Sequence, residues 1–370
     1  MEHKRIHIIA FNIPYPPTYG GVIDVFYKIK ALHAAGIKIH LHCFVYGRTP
    51  HEELNKLCEE ISYYPRKAMW QGFFFDKPVI VSSRRNKKLF ERLLKDNAPI
   101  LFEGLHTCFY LDHFQLKNKL KILRMHNDES TYYLKLAERE KKFFKKLYFY
   151  EEYKRLLKYE QVLKETDKIF CIAKHEQAYF EQRFRNVNYL APFHGNVDVT
   201  SQIGRGKEAL YHGDLSVNEN EQAAQFLINE IFTEPSIPLR IAGNHPSSAL
   251  KKLASNKPHI TLIENPANEQ LSEWMANAHV HILPAFQATG IKLKLIQALF
   301  RGRFCLVNSL MTEGTGLDKF CTIADQPDEM KAQLRLLFQK EFTEDDLVFR
   351  KQIELSFSDK EEIKKLIRLL

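Results

Sequence analysis

A strand-like apolar run, His279–Leu283, leads into a short loop, Pro284–Ala288, then Thr289-Gly290, then a helix-period segment closed by Gly302. A further apolar run, Phe304–Val307, follows at once. Strand, loop, helix and strand in this order make one βαβ unit. Parallel strands of that kind need helices on their faces, so the surrounding chain is committed to a layered α/β fold. A glycine stands where the helix begins, with Lys292 and Lys294 within its first turn or so. Free backbone N–H groups and the positive end of the helix dipole make this an anion site suited to a phosphate or diphosphate. The alternative is an ordinary helix start with solvated lysines.

The same unit recurs along the chain. A strand over Ile6–Phe11 runs into a loop stiffened by Pro14, Pro16 and Pro17 and ending in Gly20-Gly21. A helix from about Val22 to Ala35 stops at Gly36, and a strand covers Ile37–Val45. The glycine pair lets backbone approach a ligand closely. It is not Gly-x-Gly-x-x-Gly, and no Gly-x-x-x-x-Gly-Lys-Ser/Thr loop occurs. Residues 50–98 hold two or three helical segments and a strand-like piece, Ile61–Tyr64. Arg84–Lys88 is a basic cluster at a helix start, read as a solvated face with an anion contact as the alternative. Two strands, Pro99–His106 and Leu120–Glu129, begin apolar and end in polar residues, with a helix expected between them. In open α/β sheets the ligand crevice lies beyond the carboxyl ends of the strands. His106, Arg124, His126, Asn127 and Glu129 therefore come to one rim. A single histidine at a strand end is usually structural, but two ends with similar chemistry favour a site.

From Ser130 to about Thr166 a long helical stretch is expected, broken once, with Ser130 as its cap. Tyr133, Leu136, Ala137, Phe143, Phe144 and Leu147 follow a helical stripe, and the other face carries Lys135, Arg139, Lys141, Lys142, Lys145 and Lys146. An amphipathic core helix with a solvated basic face is one reading. Docking on an anionic membrane is another, and nucleic-acid binding is a third that no recognition motif supports. A strand over Asp167–Ala173 and a helix over Lys174–Phe184 complete this half, and residues 191–207 form the expected linker.

A second α/β series then runs through the strands Glu208–Leu215, Leu239–Gly243 and His259–Ile263 to the opening unit. Residues from about Asp328 are helical to the end. Two domains are expected, 1–192 and 193–354, with a last helix of about 355–370 crossing back to the first. His279 and His281 share one strand face, and packing is favoured over a metal pair because no third ligand is near.

At 370 residues, 45% hydrophobic and 27% charged, the composition is that of an ordinary globular protein. No apolar run of about 18 residues exists, and the first residues do not form a secretory segment, so a cytoplasmic protein is expected. Its six cysteines lack Cys-x-x-Cys spacing and point to neither zinc nor disulfides. The net charge of +9 points to an anionic partner.

Four pieces, in order, resemble retaining, metal-independent glycosyltransferases with two Rossmann-like domains, in particular the large family numbered four. Pro17–Val22 resembles the glycine loop after the first strand. Leu123–Tyr133 resembles the Arg-x-His-Asn-x-Glu segment of bacterial surface-polysaccharide members. Leu210–Ser216 is similar to the turn that opens the donor domain, and Thr289–Ala298 to the Gly-x-x-x-Lys-x-x-Glu-Ala segment that binds donor diphosphate and ribose. The resemblance implies an α/β fold of two Rossmann-like domains facing across a cleft (the GT-B fold). It implies sugar transfer from a nucleotide-diphosphate sugar to an acceptor hydroxyl with retention.

The site that follows from this resemblance has catalytic His106, His126 and Lys294. Donor contacts are Gly20, Gly21, Gly213, Asp214, Gly243, Thr289, Gly290, Ile291, Lys292, Lys294 and Gln297. Arg124, Asn127 and Glu129 lie on the acceptor side. No metal and no other cofactor is expected. The partners are the donor, a glycan or lipid-linked acceptor, and an anionic membrane surface met by segment 132–159, with no nucleic acid. The protein would be cytoplasmic and peripheral at the inner membrane face. The chain departs from the family pattern by carrying Thr289 and Gln297 where two glutamates are usual, and Asn218–Gln222 where a basic pair is usual. Neither Thr289 nor Gln297 brings a negative charge, so Lys292 and Lys294 carry more of the phosphate recognition. A binding protein on the same fold with impaired catalysis is the alternative function, and a sugar-nucleotide epimerase or a phosphorylase is not separated by spacing alone.

Overall fold

The computed structural model describes residues 4–68, 76–286 and 292–370. Thr289, Gly290 and Ile291 lie outside the described residues. The chain divides into two compact units, one from the N-terminus to Phe193 together with Asp359–Leu370, the other from His194 to Ser358.

The first unit contains β1 (Arg5–Ala10), α1 (Gly20–Ala34), β2 (Lys38–Val45), β3 (Glu60–Pro65), α2 (Lys87–Leu93), β4 (Ile100–Glu103), β5 (Lys121–Met125), α3 (Glu129–Arg139), α4 (Phe143–Tyr159), β6 (Lys168–Cys171), α5 (Lys174–Glu181) and β7 (Val187–Tyr189). Its strands form one parallel sheet in the order β3-β2-β1-β4-β5-β6-β7. Alternation along β1 buries Ile6, Ile8 and Ala10 under α1, while Ile9 faces the opposite layer. Both faces are covered, so the central strands are almost wholly buried and their few polar side chains, such as His7, Glu103 and Arg124, are buried with them. The chain winds outward in opposite directions from β1 and β4, which makes the gap beyond their carboxyl ends the topological switch point.

The second unit contains β8 (Ala209–His212), α6 (Asn218–Phe226), β9 (Leu239–Gly243), α7 (Ser248–Ser255), β10 (Ile260–Glu264), α8 (Asn268–Asn277), β11 (Val280–Leu283), α9 (Leu293–Arg301), β12 (Phe304–Val307), β13 (Thr322–Ile323), α10 (Pro327–Gln339) and α11 (Glu344–Lys351). Its parallel sheet has the order β10-β9-β8-β11-β12-β13, with a switch point between β8 and β11. The final helix, α12 (Asp359–Ile367), belongs to the first unit. Ile363 and Leu366 enter its core, and Glu362 Oε2 accepts a 2.8 Å hydrogen bond from Ala191 N.

Several local expectations change. The helix expected between β4 and β5 is replaced by short 3-10 turns, Leu105–Tyr110 and Phe114–Leu116. Helix α1 begins at Gly20, so the glycine pair forms its first turn instead of preceding it. Asp128, not Ser130, caps α3, accepting from Thr131 N at 3.1 Å and from Ser130 Oγ at 2.8 Å. The long helix breaks at extended Glu140 and Lys142, and α3 and α4 pack on each other, with Tyr133 against Phe149. The break resets the helical phase. Phe143 and Phe144 therefore leave the stripe of Ala137 and stand 72% and 83% exposed, which contradicts the core-helix reading for that end. His279 and His281 are buried, and each meets a backbone carbonyl through Nε2, of Leu337 and Met275, so they pack as the spacing favoured.

Candidate functional site

In the first unit the residues after β1, β4 and β5 meet at the switch point. Phe11 ends the first strand, and its ring packs on His126 at 5.3 Å and on His106 at 5.8 Å. A Cβ on Gly21 would stand 2.7 Å from the tip of that ring, so the second glycine is required by packing against Phe11. Gly104 turns the chain after β4 with φ of 75°, which a residue with a side chain rarely adopts. That turn sets His106 near Glu129, with Nδ1 3.8 Å from Oε1.

Beneath the histidines lies a buried ionic network. Lys28 Nζ lies 2.9 Å from Asp24 Oδ2 and 2.8 Å from Glu103 Oε1. His126 Nε2 meets Glu103 Oε2 at 2.7 Å. Burial alone would raise the carboxyls of Asp24 and Glu103. The neighbouring Arg124 and Lys28 instead hold Asp24 down, and Lys28 and His126 hold Glu103 down. Asp24, Glu103 and His126 are spaced as a metal triad, but the Lys28 ammonium is already bonded to both carboxylates.

Arg124 is corrected by this geometry. Its side chain is fully buried and pairs with Asp24 through Nη2 at 2.8 Å and Nε at 3.2 Å. Its remaining N–H groups go to the carbonyls of Leu190, Ala191 and Cys171. A guanidinium has five donors, and here all are used within the protein. Arg124 positions α1 and the end of β7 and does not face an acceptor. Among the described residues, buried His106 Nδ1, His126 Nδ1 and Asn127 Oδ1 have no hydrogen-bond partner. Arg84, expected on a solvated face, is buried and donates to Phe11 O and Ile80 O, while Asn86 caps α2.

Burial, reinforced by the neighbouring Asp128, pushes the Glu129 carboxyl up to about 8, so it is protonated at neutral pH. A folded-state value above the ordinary one means stability present at low pH and lost as pH rises toward 8. Glu129→Gln mimics the protonated form. Its melting temperature should therefore fall less than that of the wild type between pH 5 and 9, a gap of several degrees opening toward pH 9 in parallel thermal melts. A constant difference would contradict the protonated assignment.

In the second unit, Gly213 and Asp214 follow β8, and the loop leading to α9 follows β11, so both flank the switch point. Lys292 is the N-cap of α9 and Lys294 lies in its first turn. Lys294 Nζ donates to Asn220 Oδ1 at 2.9 Å and lies 5.3 Å from the Tyr211 ring centroid. Asn220 in turn donates to Asp214 O at 2.9 Å. Burial, with the nearby Lys292 charge, brings Lys294 down to about 8, where it remains an ammonium at neutral pH. Asp214 receives Ser216 N and Oγ at 3.1 and 2.6 Å, a local turn. A Cβ on Gly243 would fall 2.0 Å from Gly213 O, so its glycine is a packing requirement of the adjoining strand end. Gln297 is half-buried one turn beyond Lys294.

Asp24, Lys28, Glu103 and Asn220 were not singled out from sequence. The first two interrupt the apolar face of α1 (Val22, Val25, Phe26, Ile29) with opposite charges four residues apart, which is a legible signal of a buried pair. Asn220 stands where the family's basic pair is missing, and only the fold shows it holding Lys294.

Comparison with known proteins follows this geometry. Residues 206–340 match the family described as glycosyl transferases group 1. Over 334 residues the chain is 27% identical to an uncharacterized 44.6 kDa protein in the cps region of Klebsiella pneumoniae, covering 84% of each. Solved structures share the fold over almost the whole chain. A point mutant of S. aureus TarM, in complex with fondaparinux, α-GlcNAc-glycerol and UDP, has a TM-score of 0.68 at 10% identity, covering 99% of each chain. Anabaena HepE with UDP and glucose has a TM-score of 0.66 at 9% identity, again covering 99% of each. The pneumococcal O-GlcNAc transferase GtfA with UDP and GlcNAc has 0.64 at 10%, covering 100% of this chain and 98% of its own. At such identities the likeness establishes the two Rossmann-like domains of the GT-B fold. Residues 206–340 thus form a region that matches glycosyl transferases group 1, within a chain whose two units share the GT-B fold of two Rossmann-like domains.

Proposed function

We propose that the protein moves a sugar from a nucleotide-diphosphate sugar to an acceptor hydroxyl, with retention and without a divalent metal, in the building of a surface or capsular polysaccharide. The observation that carries this is Lys294, held by Asn220 in the first turn of α9 at the β8/β11 switch point, with Lys292 beside it. Two cations at a helix N-terminus form a preorganised positive field for a diphosphate. The barrier to transfer lies in departure of that diphosphate from an oxocarbenium-like carbon, and a fixed positive field lowers it as the charge develops. UDP and sugars in the TarM, HepE and GtfA structures support a nucleotide-sugar donor. The Klebsiella relative supports a polysaccharide setting. Retention rests on the resemblance of Thr289–Ala298 to the retaining class. Lysine neutralisation at α9, and Lys28 between Asp24 and Glu103, support metal independence.

His106 and His126 are the first-unit groups for a sugar or acceptor hydroxyl. Asn127 and Glu129 adjoin them. Among the described residues Asn127 keeps an unpartnered buried Oδ1 and His126 an unpartnered Nδ1. When Nε2–H of His126 donates to Glu103, that Nδ1 carries a lone pair able to receive a hydroxyl proton. The test is a thermal-shift screen of the full chain against UDP, GDP, ADP and dTDP and their sugars. Stabilisation by one nucleotide series is expected, and no stabilisation by any of them contradicts the donor site. A second reading, donor binding without efficient transfer, is favoured by neutral Gln297 where the family has a glutamate. A donor that binds but is neither transferred nor hydrolysed would establish it.

We also propose peripheral attachment to the cytoplasmic membrane face through α4. No helix of the described residues is long and apolar enough to cross a membrane. Phe143, Phe144 and Leu147 are exposed among Lys141, Lys142, Lys145 and Lys146. This mixture suits the interface of an anionic bilayer. Phe143→Ser/Phe144→Ser should weaken co-sedimentation with anionic vesicles roughly tenfold or more, since each buried phenylalanine contributes about 1.5–3 kcal/mol. Unchanged sedimentation would remove α4 as the docking face.

A further inference from the structure

The first unit buries more positive charge beside its histidines than its own carboxylates balance. Arg84 is 5% exposed and its guanidinium donates only to backbone, Nε to Phe11 O at 3.2 Å and Nη1 to Ile80 O at 2.6 Å. Arg66 lies next to it, with Nε donating to Ser83 Oγ at 3.2 Å and its guanidinium over the Tyr46 ring at 4.5 Å. Among the described residues no carboxylate comes within ion-pair distance of either arginine. Phe11, which receives Arg84 through its carbonyl, carries on its ring the contacts to His106 and His126, so the arginines and the histidines share one end of the sheet.

An isolated buried cation is costly unless something completes it. Arg84 feels burial first and Arg66 next, which together bring its guanidinium down to about 9. Glu129 is the nearest acid acting on Arg84, but burial keeps it protonated at neutral pH. His106 is pushed well below its ordinary range by burial and by the two arginines, and is neutral. Tyr133 also faces Arg84, and burial pushes its phenol far up, so it holds no charge at that pH. Among the described residues Arg84 thus has no ionised carboxylate paired with it, and His106 Nδ1 and Asn127 Oδ1 are buried there without hydrogen-bond partners.

We propose that Arg84 and Arg66, beside His106 and Glu129, receive a phosphate ester carried by the acceptor, so that the protein selects phosphorylated acceptors. Guanidinium is the side chain best shaped for phosphate, through paired charge-assisted hydrogen bonds. The hydroxyl to be glycosylated would then be offered toward His106 and His126 from a fixed phosphate. This rests on the acceptor-side assignment of the first unit. The phosphate could belong to a polar phosphorylated glycan or to a lipid phosphate, and the two differ in what else they bury.

The experiment measures binding to the full chain saturated with the nucleoside diphosphate it prefers, at constant ionic strength. The probes are glycerol 3-phosphate, farnesyl phosphate and, as the uncharged control, glycerol. At least one phosphate probe should bind while glycerol does not. The tighter of the two identifies the polar or the lipid source. Arg84→Met should abolish the binding, and Arg66→Gln should weaken it roughly tenfold. Arg66 is half-buried, so its variant tests the site even where loss of buried Arg84 unfolds the protein. Absence of binding by both phosphate probes, or binding unchanged in Arg66→Gln, overturns the proposal. Failure of the nucleoside diphosphate itself to bind would instead remove the donor site, so the two failures are distinguishable.

Discussion

Lys294→Ala should weaken binding of the preferred nucleoside diphosphate about 30-fold or more in calorimetry on folded protein, because truncating one partner of a desolvated charge pair costs roughly 2–5 kcal/mol. The effect is expected to be large for three reasons. The ammonium is partly buried, Asn220 Oδ1 fixes it at 2.9 Å, and it lies in the first turn of α9 where the helix dipole adds to its field. The free amine titrates near 8, so affinity in the wild type should decline as pH rises through that value and the cation is lost. In Lys294→Ala that decline should disappear together with the affinity. Unchanged affinity in the variant would remove this lysine, and the loop before it, from the donor site.

The second large effect is on stability. Asp24→Ala removes the carboxylate that Arg124 grips through two nitrogens, that Lys28 approaches at 2.9 Å, and that accepts Phe193 N at 2.8 Å. Arg124 and Lys28 would remain buried with part of their charge unmatched. Breaking a buried pair by removing one partner costs about 3–5 kcal/mol. Against a total stability of about 5–15 kcal/mol for a typical domain, this threatens folding of the first unit at 37 °C. Denaturant unfolding followed by far-UV circular dichroism measures the loss. A change under about 1 kcal/mol would mean that the network is solvated and exchangeable. Replacing Lys28 with Met should also destabilise, since Asp24 and Glu103 would then face each other without the ammonium between them.

The parallel sheets were legible because their strands are buried on both faces and read as continuous apolar runs, such as Ile6–Ala10 and Val280–Leu283. The placement of His106 and His126 beyond the carboxyl ends of β4 and β5 was legible from the polar residues that close those strands, and that of Lys294 in the first turn of α9 from the helix-period segment after β11. Less was readable where chemistry depends on pairing across the fold. Arg124 looked like a contact residue because it stands near a strand end just before His126 and Asn127, yet its partners are Asp24, far back in the chain, and the carbonyls of Cys171 at the end of β6 and Leu190 after β7. Arg84 looked solvated because its sequence neighbours are cations, while its burial is imposed by Phe11 and Ile80. The exposed Phe143 and Phe144 followed a helical period in sequence, but that period does not survive the break at Glu140–Lys142.

Glycosyl transfer itself is tested most directly by turnover. The purified chain is incubated with the nucleotide sugar that stabilises it and a panel of glycan and lipid-linked acceptors, with Mg2+ and Mn2+ first omitted and then added. Released nucleoside diphosphate and the anomeric configuration of the product are followed by NMR. The expected result is nucleotide release with a retained anomeric centre, at a rate unchanged by the added metals and lost in Lys294→Ala. Release that requires added metal, or a product with inverted configuration, would contradict the lysine-based retaining mechanism.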